Sequence, residues 1–261
     1  MRILKDYLPP ILIRQITGLF YGWKGNFTSW EEAKKKSTGY DSDLILNKVK
    51  DALLKVKNGE AVAERDSVLF DKIEYSFPLL TSLLWIASEN KNKLNIIDFG
   101  GSLGSSYFQN KKFFSSLNEI NWNIVEQKHF VECGKKYFQN SELHFFESIE
   151  ECLKEQNSNA ILLSSVLQYI DKPYDLIEYI IDKKFTYIII DRTPFINNDD
   201  RITIQKVHPN IYNASYPSWF FNENKLLKKF TQNYELITDF ETPDKANIKS
   251  VFKGFLFKLK R

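Results

Sequence analysis

The sequence predicts an α/β fold: five parallel-type strands and a closing antiparallel pair, preceded by an N-terminal helical extension. Three observations predict it. From Leu94 onward, short β-branched or aromatic runs alternate with helix-compatible runs, the rhythm of a parallel sheet covered on both faces. The first of these runs ends in Asp98 and passes into a glycine-rich turn, Gly100-Gly101-Ser102-Leu103-Gly104. The last run sets Phe255, Phe257 and Leu259 against Lys258 and Lys260, which suits an antiparallel strand near a sheet edge.

Composition narrows the class. The chain has 261 residues, 43% hydrophobic and 15% aromatic, enough for a full core and too apolar for global disorder. The formal net charge is only +3, and the lysines come as scattered pairs, so a nucleic-acid partner is not expected. The two cysteines (Cys133, Cys152) and three histidines (His129, His144, His208) lack metal-ligand spacing, so no metal is expected. Free thiols suit a cytoplasmic setting. Residues 1–20 are apolar but broken by Lys5, Asp6, Pro9, Pro10 and Arg14, which predicts a packed helix rather than a transmembrane segment.

Residues 1–93 read as helical. Ile45, Val49, Ala52, Leu53 and Val56 share one face of a helix over 43–56 that stops at Gly59. Asp66 is expected to cap a run bearing Val68, Leu69 and Ile73, and Pro78 to kink it or open the next helix. The aromatics between Tyr21 and Trp30 read as satellite core. In the domain over 94–261, strands are expected at 94–98, 122–126, 143–147, 160–164 and 187–191. Helices are expected at 105–117, 128–137, 149–156 and 173–182. Residues 192–220 read as a long substrate loop without regular structure. A helix over 222–231 and strands over 234–240 and 252–259 close the chain.

In a doubly wound sheet, ligands bind outside the carboxyl ends of the strands. Those ends carry Asp98, Glu126 with Gln127, Glu147 with Ser148, Ser164 with Ser165, and Asp191 with Arg192. Glu126, at the second strand end, is placed to take both hydroxyls of an adenosine ribose. A carboxylate at Asp98 repels a pyrophosphate and favours a ligand bearing an ammonium and a sulfonium. The turn reads Asp-x-Gly-Gly-x-x-Gly, not the Gly-x-Gly-x-x-Gly of dinucleotide sites. The expected cofactor is therefore S-adenosylmethionine, in a Rossmann-like sheet of the class I methyltransferase kind. Its expected ligands are Asp98, Gly100, Gly101, Ser102, Gly104, Ser105, Glu126, Gln127, Ser164 and Ser165.

Several segments then carry a specific resemblance. They are Gly59-Glu60-Ala61 with Glu64-Arg65-Asp66, the stretch from Asp98 to Phe108, Trp122 to Gln127, Ser164 to Ile170, Asp191 to Phe195, and Gln205 through Tyr212 to Trp219. Together they resemble a family of class I S-adenosylmethionine-dependent methyltransferases encoded among bacterial surface-polysaccharide genes. The resemblance covers nearly the whole chain. It implies methyl transfer in a bacterial cytosol to a small-molecule or glycan acceptor, such as a sugar or sugar nucleotide. It does not name that acceptor.

A hydroxyl acceptor also has to lose a proton, so a base is sought after the fourth and fifth strands. The candidate catalytic residues there are Asp191, Arg192, His208 and Tyr216, with Asp191 or His208 as the base. Asp191 serves as a base or as the group that orients Arg192. His208 is a base by its chemistry. Arg65, Arg192 and Arg201 suit an anionic acceptor or surface ion pairs. Tyr212, Tyr216 and Trp219 either stack on a sugar or pin the loop. Two rival readings are a nicotinamide-dependent oxidoreductase and a non-catalytic Rossmann-like partner protein.

Overall fold

The computed structural model describes residues 20–39, 42–65, 68–209 and 211–261. The helix expected within 1–20, the Asp66 cap and the Arg65 side chain lie outside that description, Phe20 aside.

The core is one twisted sheet. Its parallel part runs β4 (Lys93–Phe99), β5 (Glu119–Val125), β6 (Leu143–Phe146), β7 (Ala160–Ser164) and β8 (Tyr187–Ile196). In space the order is β6-β5-β4-β7-β8. Then β12 (Val251–Leu259) lies antiparallel along β8, with β11 (Tyr234–Glu241) outside it. This is a Rossmann-like α/β sheet closed by an antiparallel pair, as the strand–helix alternation and closing pair predict. The register sets Phe99 beside Val125 and Ser164 beside Asp191, so the carboxyl ends of the parallel strands form one edge.

Period-two alternation sends side chains to two cores. Leu94, Ile96, Leu162, Ile189 and Leu256 face helices α2 (Ser42–Lys57), α3 (Phe77–Glu89), α4 (Ser105–Asn110) and α5 (Lys128–Tyr137). Ile97, Ile161, Leu163, Ile188, Ile190, Phe255 and Phe257 face α6 (Ile149–Glu155), α7 (Pro173–Asp182) and α8 (Glu223–Phe230). Each such fully buried side chain stabilises the fold by roughly 1.5–3 kcal/mol. Ile45, Val49, Ala52 and Leu53 of α2 are buried as the periodicity requires. Pro78 opens α3 rather than kinking an earlier helix, because its missing N–H is harmless in a first turn.

Two expectations give way. The segment before β4 is not purely helical. After β1 (Gly22–Phe27) and α1 (Trp30–Lys35) it carries a small hairpin, β2 (Ala63–Arg65) and β3 (Val68–Phe70), in place of the helix expected after Asp66. Likewise, 192–220 is not an irregular loop. β8 runs on to Ile196, and β9 (Arg201–Lys206) and β10 (Ser215–Asn222) pair with each other. β1 pairs with β9 along its other side, and the end of β10 takes the flank of β8 that β7 leaves after Ser164. Prolines and polar residues mask the strands in the sequence, but Pro194 and Pro217 sit within them. A distant segment, β1, supplies the missing edge. The aromatics of 21–30 serve this ribbon: Trp23 meets Phe220 and Phe252 edge-on, and Trp30 stacks on Trp219.

One close contact tests the packing. A Cβ on Gly134 in α5 would lie 2.3 Å from the Phe145 ring. Glycine to alanine usually favours a helix by up to about 1 kcal/mol. Here overpacking should win, so Gly134→Ala should lower stability by about 1–3 kcal/mol in chemical denaturation.

Candidate functional site

The site is built where β4 meets its turn. Asp98 shares the face of Leu94 and Ile96, and the chain turns sharply over it. Gly100, Ser102 and Gly104 all take left-handed φ, at 72°, 55° and 101°. A Cβ on Gly101 would lie 2.5 Å from the Asp98 carboxylate, so only glycine lets the turn close over that acid. Asp98 is 1% exposed, and its Oδ2 accepts a 3.0 Å hydrogen bond from Trp122 Nε1 on β5. Burial pushes its carboxyl from an ordinary 3.8 to about 7, against the indole hydrogen bond, with the charges of Glu126 and Asp191 adding to the rise. Asp98 is thus walled in beneath the turn rather than lining its outer surface.

Glu126 follows β5 directly. The Ser102 and Gln127 backbone N–H groups both point at its carboxylate, the latter at 2.7 Å, while burial raises its pKa. Gln127 is exposed and begins α5, so its backbone serves the site more than its side chain does. His129, in the first turn of that helix, has a buried Nε2 without a partner among the described residues.

At the next strand ends, Ser164 Oγ donates to Asp191 Oδ2 at 2.7 Å, tying β7 to β8. Ser165 has φ 54° and Arg192 φ 51°, two non-glycine residues in the left-handed region side by side. Such backbone costs on the order of 1 kcal/mol each and concentrates at functional sites. Gln168 bridges the two bends, donating from Nε2 to Ser165 Oγ at 3.1 Å and to the Arg192 carbonyl at 3.3 Å. Asp191 is fully buried, and burial raises its pKa to about 6, opposed by Ser164 and Arg192. Asp191 Oδ1 and Gln168 Oε1 are buried acceptors with no partner among the described residues.

Not every expected residue joins this group. Arg192 is not oriented by Asp191: its guanidinium makes a bidentate pair with Asp244, at 2.9–3.2 Å. Arg201 is spent on the Gly25 carbonyl. His208 rests on the Tyr21 ring at 4.6 Å, in the connection between β9 and β10, away from the strand-end acids in sequence and element. Trp219 pins the ribbon, donating from Nε1 to the Ile170 carbonyl at 3.0 Å. Tyr216 does stand beyond the strand ends. It meets Tyr169 edge-on, its hydroxyl is 3.3 Å from that of Tyr212, and Tyr169 donates to Gln205 at 2.7 Å. Ser105 is engaged by an unexpected partner, donating from Oγ to Glu64 Oε2 at 2.6 Å.

The residues that sequence reasoning missed here are Trp122, Gln168, Tyr169 and Asp244. Trp122, Gln168 and Tyr169 lay inside motif segments, but nothing in the order of residues says that an indole from one strand will cap an acid on the next. An apolar groove of about 480 Å³ lies elsewhere, between α3 and β11–β12, lined by Phe77, Pro78, Trp85, Ile237, Phe240 and Leu256. It holds no titratable group and offers no chemistry. Among the described residues, no three or more His, Cys, Asp or Glu side chains gather as a metal site, and no helix is long and apolar enough to cross a membrane.

No protein-family description and no curated protein matches the chain. Solved structures do resemble it. LepI C52A, in complex with SAH and a substrate analogue, is 9% identical with a TM-score of 0.50, over 83% of this chain and 55% of that one. The N-terminal domain of EvdMO1, with SAH and D-fucose, is 11% identical with a TM-score of 0.49, over 85% and 98%. Magnesium protoporphyrin IX methyltransferase from Synechocystis PCC 6803, with SAM, is 9% identical with a TM-score of 0.45, over 70% and 79%. The chain spans about half the length of LepI. At such identities the likeness is one of fold.

The raised pKa of Asp98 has a definite sign. The folded state binds the Asp98 proton more tightly than the unfolded state does. This carboxyl therefore favours folding most below pH 4, and the advantage is lost as pH rises towards about 7. Asp98→Asn should raise the thermal midpoint of the ligand-free protein most at pH 8, less at pH 5, and hardly at all at or below pH 4. A lower midpoint at pH 8 would mean that the acid is an ordinary stabilising member of the core.

Proposed function

We propose that the chain is an S-adenosylmethionine-dependent methyltransferase acting on a sugar, a sugar nucleotide or a related surface-glycan component in a bacterial cytoplasm. One observation carries the cofactor assignment. Asp98, Glu126 and Asp191 converge on one sheet edge, each with its pKa raised by burial, and Asp98 feels the charge of the other two. Three enclosed carboxyls around a glycine turn suit a cationic nucleoside and repel a pyrophosphate, which disfavours the nicotinamide reading.

The residues fit that ligand. The buried His129 Nε2, Asp191 Oδ1 and Gln168 Oε1 atoms are orphaned at the same sheet edge, which is costly unless a ligand or water supplies partners. Gly100, Gly101 and Ser102 would hold the amino-acid part of the donor, and Glu126 the ribose hydroxyls. The cofactor supplies a methyl group already activated on a sulfonium. Ser164, Ser165 and Asp191 would stand on the acceptor side. There Asp191, with a pKa of about 6, is mostly ionised at neutral pH and able to accept a proton.

The acceptor class rests on the Tyr169, Gln205, Tyr212 and Tyr216 cluster, whose rings and hydroxyls suit the faces and edges of a sugar. With Arg192 and Arg201 engaged by Asp244 and Gly25, the cluster favours a neutral ring over an anion.

Calorimetric titration with S-adenosylmethionine should give micromolar binding that tightens as pH rises through 7, because Asp98 gives up its proton when the cation arrives. Glu126→Ala should weaken binding about ten- to a hundredfold, the loss expected for hydrogen bonds to a charged group. A folded protein that takes up no donor at millimolar concentration would sink the proposal.

A further inference from the structure

The motif segment ending in Glu64-Arg65-Asp66 has no role in the reading so far. The structure gives its first acid one. Glu64 lies on β2, and its side chain is buried, only 6% exposed. It reaches the first residue of α4, directly after the glycine turn, where Ser105 Oγ donates to its Oε2 at 2.6 Å. The β2–β3 hairpin thereby delivers a carboxylate to the helix end of the cofactor turn. Around that carboxylate, α2 and α4 contribute Leu53, Val56 and Phe108. Apolar walls of this kind strengthen any ion pair made there.

Asp98 is poorly placed for direct contact with a cation. Gly101 closes over it, and Trp122 holds its Oδ2. Its charge acts from beneath the turn. Ser105, for its part, has committed its hydroxyl hydrogen to Glu64 and fixes the direction of that carboxylate.

We infer that Glu64 binds the α-ammonium of the donor's amino-acid tail, with Ser105 as its positioning residue. This rests on the donor assignment above and names a ligand residue outside the strand-end set. A rival role for Glu64 is purely structural. α4 has no side-chain cap and no acid in its first turn, so a carboxylate from the hairpin would also stabilise that helix end. The two roles separate by ligand. A cap supports every ligand of the turn alike, whereas an ammonium partner is felt only by ligands that carry the ammonium.

The experiment is calorimetric titration of the full chain with two probes, S-adenosylhomocysteine and methylthioadenosine, which lacks the amino-acid tail. Glu64→Gln should weaken S-adenosylhomocysteine about ten- to a hundredfold, the range for a charge-assisted hydrogen bond, and leave methylthioadenosine within about twofold. Equal weakening of both probes, or of neither, overturns the assignment in favour of the cap. If wild type binds neither probe, the donor reading fails and this inference with it. Should Glu64→Gln lose its cooperative thermal transition, Ser105→Ala carries the same test. It leaves the carboxylate in place without the Ser105 hydrogen bond, so S-adenosylhomocysteine alone should weaken, by about threefold or more.

Discussion

A carboxylate buried under a glycine turn is the constraint from which the site follows. Asp98 sits at the end of the central strand, on the face that packs against α2 to α5. A charged acid in that position is costly, and the chain meets the cost in two ways. Trp122, one strand over, gives its indole hydrogen bond, and the pKa rises towards neutrality so that the acid can carry its proton. Neither removes the electrostatic demand. The ligand-free protein holds an edge whose acids repel one another, and a bound cation would relieve it. Stability is thereby exchanged for binding in the manner expected of preorganised sites.

Backbone strain follows the same edge. Ser102, Ser165 and Arg192 are non-glycine residues with left-handed φ; Ser102 and Ser165 lie in the turns after β4 and β7, and Arg192 lies within β8 just past its last pairing with β7. Lys91, Asn92 and Lys184 share that conformation at the opposite edge, where tight turns enter β4 and β8. At the carboxyl edge the strained residues are held by specific hydrogen bonds. Ser102 is fixed through Glu126, and Ser165 and Arg192 through Gln168. The Arg192 side chain swings out to Asp244 in the β11–β12 connection, which ties the closing antiparallel pair to the site.

The β1–β9–β10 ribbon adds the second wall. It leaves the sheet where β7 ends, is anchored by Trp219 on Ile170 and by Trp30 on Trp219, and carries Gln205 and Tyr216 towards Tyr169. Its connection reaches α2 through Lys48 on the Ile211 carbonyl. The Asp98 turn and the Tyr169–Tyr216 wall therefore lie on different strands of one sheet, joined through β8. Such an arrangement would let the ribbon surface vary without disturbing the acid beneath the turn.

Much of this was legible in the order of residues. The apolar runs, their alternation with helices and the Asp98-to-Gly104 turn depend on local periodicity and backbone freedom, which sequence encodes directly. Helices over 128–137 and 173–182 and the strand over 160–164 fall where periodicity puts them. What the sequence could not decide are meetings between distant segments. The strands of 192–220 need the edge that β1 provides across some 175 residues, and so read as loop until the chain is folded. Arg192 finds Asp244 rather than its neighbour Asp191, and Ser105 finds Glu64 on a hairpin far up the chain. Hydrogen bonds and ion pairs of that kind are made by proximity in space. Sequence alone picked out the glycine turn and the strand-end acids, because both are local patterns; only the tertiary structure decided which residues face one another.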